Sequence, residues 1–252
     1  MSTFPIRVLT YNVHKGFTAA NLKFILHRIR EELHKTDADI IFLQEIQGKH
    51  AKRELSITGW PMEPQFEFLA GRLWPHYAYG KNAVYNAGHH GNAILSKFPF
   101  LNWENLNVSD MRLASRSLLH GIVRIPDVGR SLHVICIHLD LRAYERRRQL
   151  RILEERIRES VPMNEPVIIA GDFNDWRGEI YKYLAGDLAI TEVFHYLDGE
   201  HAKTFPAFLP FLSVDRIFYR GIEPVECRCF RDHPWHTMSD HLPLYAKFEL
   251  RR

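Results

Sequence analysis

Three cysteines in 252 residues are too few and too unevenly placed for a disulfide framework. Cys136 lies in an apolar run and reads as a small core residue. Cys227 and Cys229 form a C-x-C without a second pair, which argues against a structural zinc site. No apolar run reaches the ~20 residues that a membrane-spanning helix needs. The first residues, 1–6, show no signal-peptide pattern. Together these absences predict a reducing, cytoplasmic setting, with membrane association left open. Charge of one sign is also lacking. Lys plus Arg number 33 and Asp plus Glu 30, a net +3, too little to bind nucleic acid through bulk charge alone. No linker, repeat or low-complexity segment interrupts the chain, so residues 1–252 are expected to form a single domain. What is abundant is histidine, with 15 residues, several of them inside the motifs below.

Apolar patterning predicts an α/β domain. Residues 6–11 read as a first strand ending at Asn12, and residues 39–44, Asp-Ile-Ile-Phe-Leu-Gln, as a buried strand ending at Glu45. Further strands are expected at 77–79, 92–96, 118–125, 132–138, 167–170, 214–219 and 244–250. A turn around Asp127 and Gly129 joins the third and fourth of these seven in a hairpin-like pair. Leu22, Ile25, Leu26, Ile29 and Leu33 share one helical face, and helices are also expected over 65–74 and 144–160, the last with Leu150, Leu153 and Ile157 inward. Residues 82–91, rich in Asn, Gly and His, read as a loop. Interspersed strands and helices with adjacent strand pairs imply mixed sheets rather than a simple βαβ series.

The polar islands that follow these strands carry the chemistry. Asp172 and Asn174 come just past the apolar run Val167-Ile168-Ile169-Ala170, where α/β proteins tend to keep their reactive groups. Taken alone they could be ordinary turn formers, and Asp175 could cap the next segment. Asn12 and Glu45 are oxygen donors of the kind Mg²⁺ prefers, although each could equally be a solvated strand end. His138 closes an apolar strand. Asp215 sits among Val, Ile and Phe, where an unpaired carboxylate is costly, so a partner is expected, with histidine the natural one. Ser239-Asp240-His241 leads into the final strand.

In content and in order these islands resemble the endonuclease/exonuclease/phosphatase superfamily, the deoxyribonuclease I-like fold. The resemblance runs through Thr10-Tyr11-Asn12, Leu43-Gln44-Glu45, Gly91-Asn92-Ala93-Ile94-Leu95-Ser96, Ile137-His138-Leu139, Gly171-Asp172-Phe173-Asn174, Asp215-Arg216-Ile217 and Ser239-Asp240-His241. The longer strings Asn12-Val13-His14-Lys15-Gly16-Phe17-Thr18 and Gly88-His89-His90-Gly91-Asn92-Ala93 are similar to a bacterial subgroup of uncharacterised members, some relatives of which are linked with phospholipid metabolism. The resemblance implies a four-layer α-β-β-α sandwich of two mixed sheets. It implies a hydrolase that uses Mg²⁺ or Mn²⁺ to cleave a phosphate ester, a diester in preference to a monoester, by water attack. Asn12, Glu45 and Asp240 would hold the metal. Asp172 would activate water and Asn174 position the phosphate. His241, fixed by Asp215, would contact phosphate oxygens, and His138 would stabilise developing charge or protonate the leaving group. Asn92, Asn82 and His14 would face the substrate. His14 departs from the small or acidic residue that some family nucleases carry there; it could tune the metal, contact the substrate phosphate or merely pack, so the nucleases' substrates do not carry over by resemblance alone.

Substrate identity rests on three segments. The seven arginines between Arg142 and Arg158 face glutamates at helical spacing and read as a solvated face, with a nucleic-acid patch as the alternative. Residues 204–213 combine two prolines with three Phe and two Leu; they are either folded onto the core or an apolar lip suited to a phospholipid or membrane surface. The 82–90 segment is expected to border the site. The candidate partners are therefore a phosphate-ester substrate with a phospholipid headgroup or nucleic acid behind it, and no obligate protein partner is evident. A DNA or RNA nuclease and a phosphomonoesterase are the rival activities. A non-catalytic binding module is disfavoured because Glu45, Asp172 and His241 are all present.

Overall fold

The computed structural model describes residues 3–109, 116–126 and 128–251. Its elements in chain order begin with β1 (Thr3–Asn12), α1 (Leu26–Lys35), β2 (Ile40–His50), α2 (Ala51–Ser56), α3 (Gln65–Ala70), β3 (His76–Tyr85) and β4 (Gly88–Ser96). There follow β5 (Phe100–Asn107), β6 (Ser117–Ile125), β7 (Arg130–His138), α4 (Ala143–Ser160), β8 (Val167–Asp172) and α5 (Tyr181–Leu184). The chain closes with β9 (Thr191–Glu192), α6 (Val193–Asp198), β10 (Asp215–Arg220), β11 (Glu223–Cys229) and β12 (Leu244–Arg251). One sheet runs β11-β12-β1-β2-β4-β3 and the other β5-β6-β7-β8-β10-β9. Both are mixed: β1 with β2 and β7 with β8 are parallel, and the other pairings are antiparallel.

The strand period of two explains the layers. Ile6, Val8, Ile40 and Phe42 of the first sheet meet Val134, Cys136, Ile168, Ala170 and Ile217 of the second in a central core. Their alternates point the other way. Leu9, Tyr11, Ile41 and Leu43 pack on α1 and α3. Ile135, Ile137, Val167, Ile169 and Phe218 pack on Leu150, Leu153 and Ile157 of α4. Three apolar seams therefore separate four layers, as expected for the α-β-β-α sandwich. Strands buried on both faces read as unbroken apolar runs, and each large side chain so buried contributes about 1.5–3 kcal/mol.

Several expectations change. Residues 82–91 are not a loop: β3 and β4 pair through Ala83↔His90, Val84↔His89 and Tyr85↔Gly88, leaving only Asn86 and Ala87 as the turn. The Asn, Gly and His content hid a hairpin whose side chains are half-buried rather than apolar. The 22–33 helix begins at Leu26, because Ala20 and Asn21 take positive φ and leave Leu22 exposed. The 65–74 helix stops at Ala70, where Gly71 turns the chain at φ 51°. The arginine face of α4 is not wholly solvated, since Arg146 is buried against the Trp176 ring at 5.4 Å. Strands β5 and β11 and helices α2, α5 and α6 carried no clear pattern. Asp127 of the expected turn lies outside the described residues. No helix among the described residues is long and apolar enough to cross a membrane.

Candidate active site

Parallel pairing brings the polar islands to one end of both sheets. Asn12 pairs with Gln44, which puts it beside Glu45. His138 pairs with Asp172, and antiparallel β10 sets Asp215 opposite Asp172. Asp240 and His241 arrive on the loop that enters β12. Glu45 does not end its strand, as expected, but sits within β2 at a register shift between Leu43 and Ile46, with φ 55°. A bulge of this kind re-aims one side chain, here from the sheet toward the cleft. His14 and Asn174 also take positive φ, so three predicted site residues carry backbone strain that their surroundings must hold. Gly171 lets β8 approach β7: a Cβ there would lie 2.0 Å from the Ile137 carbonyl oxygen, in a backbone of φ 149°.

Asp172 is at the centre. Its Oδ2 accepts from Asn12 Nδ2 at 3.2 Å and its Oδ1 from the Asn174 backbone N–H at 3.0 Å. His138 Nε2 lies 3.5 Å and His241 Nε2 3.7 Å from the same Oδ2. His241 Nδ1 donates to Asp215 Oδ2 at 2.9 Å, so the partner expected for the buried Asp215 is this histidine. Ser239 Oγ donates to the Asn12 carbonyl at 2.8 Å and accepts from the His241 N–H at 3.3 Å, tying the last loop to the first strand. Asn174 Nδ2 donates to the Leu139 carbonyl at 3.0 Å, which fixes the amide beside the cleft.

Burial and charge set the proton affinities. Burial pushes Asp172 up to about 7; the positive His241 opposes this, and Asp215 and its negative charge add to it. Burial alone would make His241 less basic, but Asp215 and Asp172 outweigh it and raise it to about 10. Burial and the Arg116 cation hold His138 well below the usual histidine range, hence neutral. Burial works against ionisation of Glu45, yet His138 when protonated and the Lys15 ammonium at its side hold it below the usual carboxylate range.

Two groups of side chains could receive a cation. The ligand atoms of Asp172, Asp215 and His241 lie within 4.8 Å of one another. Their mutual arrangement is that of a proton-sharing set, because His241 Nδ1 is committed to Asp215. Around His14 the donors are oxygens: Asp240 Oδ1 lies 3.3 Å and Glu45 Oε2 3.9 Å from His14 Nδ1. Lys15 Nζ already stands 2.6 Å from Glu45 Oε2, so the geometry draws positive charge. Asn12 adds an amide oxygen, which accepts from the His14 N–H at 3.1 Å. This all-oxygen set fits a hard divalent ion such as Mg²⁺ or Mn²⁺.

The predicted residues do not all meet. Glu45, His138, Asp172, Asn174, Asp240 and His241 line one cleft of about 240 Å³. Asn12, Asp215 and His14 lie directly behind them through the contacts above. Asn92 is fully buried and donates to the Ser117 carbonyl at 3.2 Å, and Asn82 accepts from the Ser117 hydroxyl, so the pair anchors the start of β6 near the site. Arg116, the residue before Ser117, lines the cleft, and its buried Nε has no hydrogen-bond partner among the described residues. Arg116, an arginine ahead of an apolar strand, did not stand out in sequence, and Ser239 was named only as part of the Ser239-Asp240-His241 island, without a role of its own. A larger cleft of about 370 Å³ lies at the opposite ends of β7 and β10, lined by Arg130, Arg220 and Glu223 among others, and holds none of these groups.

Comparison with known proteins gives a consistent answer. The profile described as Endonuclease/Exonuclease/phosphatase family matches residues 9–241. The chain is 41% identical over 247 residues to Uncharacterized protein YbhP of Escherichia coli, covering 98% of this chain and 97% of that protein. Among solved structures, an endonuclease/exonuclease/phosphatase from Beutenbergia cavernae superposes with TM-score 0.80 at 19% identity, covering 98% of this chain and 72% of that one. The human Nocturnin catalytic domain with bound sulfate anion superposes with TM-score 0.73 at 21% identity, covering 97% and 93%. These structural likenesses establish the deoxyribonuclease I-like fold.

Proposed function

The chain belongs to the endonuclease/exonuclease/phosphatase family, and from that premise we propose that it is a divalent-metal-dependent phosphodiesterase in which water attacks phosphorus. One observation carries the reading. Asp172 is held at once by Asn12, by the Asn174 N–H and within 4 Å of two histidines, at the junction of both sheets.

Glu45, Asp240 and Asn12 would hold Mg²⁺ or Mn²⁺. When bound, such an ion neutralises phosphoryl charge and lowers the pKa of an attached water. The remaining work falls to side chains. Asp172 accepts the proton of the attacking water, a task suited to a carboxylate whose affinity is raised toward neutrality. Asn174 turns its amide toward the phosphate from a fixed position. His241 stays protonated and presents Nε2–H to a phosphate oxygen, with Asp215 setting ring orientation. His138, kept neutral, serves better as a hydrogen-bond donor to developing charge than as an acid for the leaving group. Arg116 supplies a further cation at the cleft wall. Leu141, Trp176, Phe205, Leu212 and Val214 add an apolar lining to the cleft, which offers space for a second ester substituent; this favours a diester over a monoester.

The test is hydrolysis of bis-p-nitrophenyl phosphate against p-nitrophenyl phosphate. Activity on the diester with Mg²⁺ or Mn²⁺, lost in EDTA and restored by metal, is expected. Hydrolysis indifferent to EDTA, or confined to the monoester, would overturn the reading. Digestion of single- and double-stranded oligonucleotides under the same conditions identifies a nuclease.

A further inference from the structure

The segment between α6 and β10 places large apolar side chains in solvent at the mouth of the cleft. Residues 204–213 contain no charged residue. Their base is fixed: Phe205 and Leu212 form an antiparallel bridge, and the Thr204 N–H donates to the Leu212 carbonyl at 2.9 Å. The Ala207 N–H donates to the Asp240 carbonyl at 2.8 Å, which latches the segment to the Asp240-His241 loop. Phe205 and Leu212 line the cleft, and the Phe205 ring centre is 5.0 Å from that of His241. On this base Phe208, Leu209 and Phe211 are 74%, 65% and 62% exposed.

Two further large apolar residues border the cleft. Leu141 and Trp176 both line the cleft and are 62% and 44% exposed. Single exposed apolar residues are ordinary, but five large ones around one charged cleft mark a contact surface. Cations flank these segments in sequence. Lys203 precedes Thr204, Arg177 follows Trp176, and Arg142, paired with Asp140, follows Leu141; all three are exposed. Apolar tips backed by cations suit an anionic bilayer, where the tips enter the acyl boundary and the cations remain among the headgroups.

We propose that residues 204–213, with Leu141 and Trp176, dock this protein on an anionic phospholipid bilayer and present a headgroup phosphodiester to the cleft. The substrate half of this inference rests on the phosphoesterase reading; the docking half does not need turnover. The experiment is flotation of the full chain with vesicles of phosphatidylcholine, with and without phosphatidylglycerol, using wild type and the Phe208→Ser/Phe211→Ser double variant. Wild type should float with the phosphatidylglycerol vesicles, and the variant should partition about tenfold more weakly or worse, the effect of losing two aromatic contacts. Its rate on soluble bis-p-nitrophenyl phosphate should match wild type. Absence of flotation by wild type, undiminished flotation of the double variant, or a wild-type dimer in gel filtration that the substitutions dissolve without any vesicle binding would each overturn the proposal. If flotation depends on Phe208 and Phe211 while neither protein cleaves any diester, docking stands and the phosphoesterase reading falls.

Discussion

Two buried histidines in this molecule meet a carboxylate at nearly the same distance. His241 donates to Asp215 at 2.9 Å, and His133 donates from Nε2 to Glu165 at 2.7 Å. Their proton affinities nevertheless move in opposite directions. His241 is raised to about 10, against its burial, by the charges of Asp215 and Asp172. His133 is lowered by burial, and Arg220 and Arg156 add to that against the pull of Glu165. The neighbours beyond the carboxylate make the difference. Under α4, Arg156 Nε donates to His120 Nδ1 at 3.2 Å, so that nitrogen must accept. His120 then carries its proton on Nε2 and donates to His133 Nδ1 at 2.9 Å. Every ring nitrogen in that chain is satisfied with both histidines neutral, and an added proton would face an arginine. At the cleft, by contrast, His241 keeps Nε2 turned toward Asp172 and the space where substrate would sit. A histidine–carboxylate pair is therefore structural or reactive according to what lies at its other nitrogen.

The largest effect that can break this comparison is catalytic. Asp215→Asn and His241→Ala are expected to lower the rate on bis-p-nitrophenyl phosphate by about 10³-fold or more, whereas His133→Asn should leave it within about twofold of wild type. Urea unfolding should show that His133→Asn disturbs the chain under α4, at a cost of about 1–3 kcal/mol for the His120 N–H it strands. Equal rate losses at His241 and His133 would erase the distinction. A smaller effect sharpens it. His120 is pushed down to about 3 by burial, with His133 and Arg156 adding to it. Above the ordinary histidine value, near 6.5, its contribution to stability is complete. As pH falls below that value the unfolded chain takes up a proton that the folded chain refuses, so stability drains away between about 6.5 and about 3. His120→Gln keeps an acceptor for Arg156 and a donor for His133 without titrating. Its stability at pH 5, relative to pH 7, should fall by about 2 kcal/mol less than that of wild type in urea titrations; an unchanged pH slope would remove the burial argument.

The difference between these pairs also marks how far the sequence could be read. The layers were legible because alternation in residues such as Ile40, Ile41, Phe42 and Leu43 encodes two buried faces at once. The order of Asn12, Glu45, His138, Asp172, Asp215 and His241 was legible as a resemblance; pairing then brought the first five to one end of the sheets, and the loop before β12 brought His241. Residues 82–91 were misread because a half-buried hairpin of Asn, Gly and His leaves no apolar alternation. Glu45 read as a strand end because a bulge depends on partner register, which no local pattern carries. Arg116 and Ser239 matter through contacts 20 to more than 200 residues away in sequence, as with the Ser239 bond to Asn12. The exposure of Phe208 and Phe211 depends on the latch between Ala207 and Asp240, again a long-range fact.

The central claim is that Asp172 directs water onto phosphorus in this cleft. The direct measurement is hydrolysis of bis-p-nitrophenyl phosphate by the metal-supplemented protein in isotopically labelled water, with Asp172→Asn alongside and the products weighed by mass spectrometry. The account predicts one labelled oxygen in the p-nitrophenyl phosphate released by wild type, and loss of nearly all turnover in Asp172→Asn. Label in the p-nitrophenol instead, or a wild-type rate in Asp172→Asn, would contradict it.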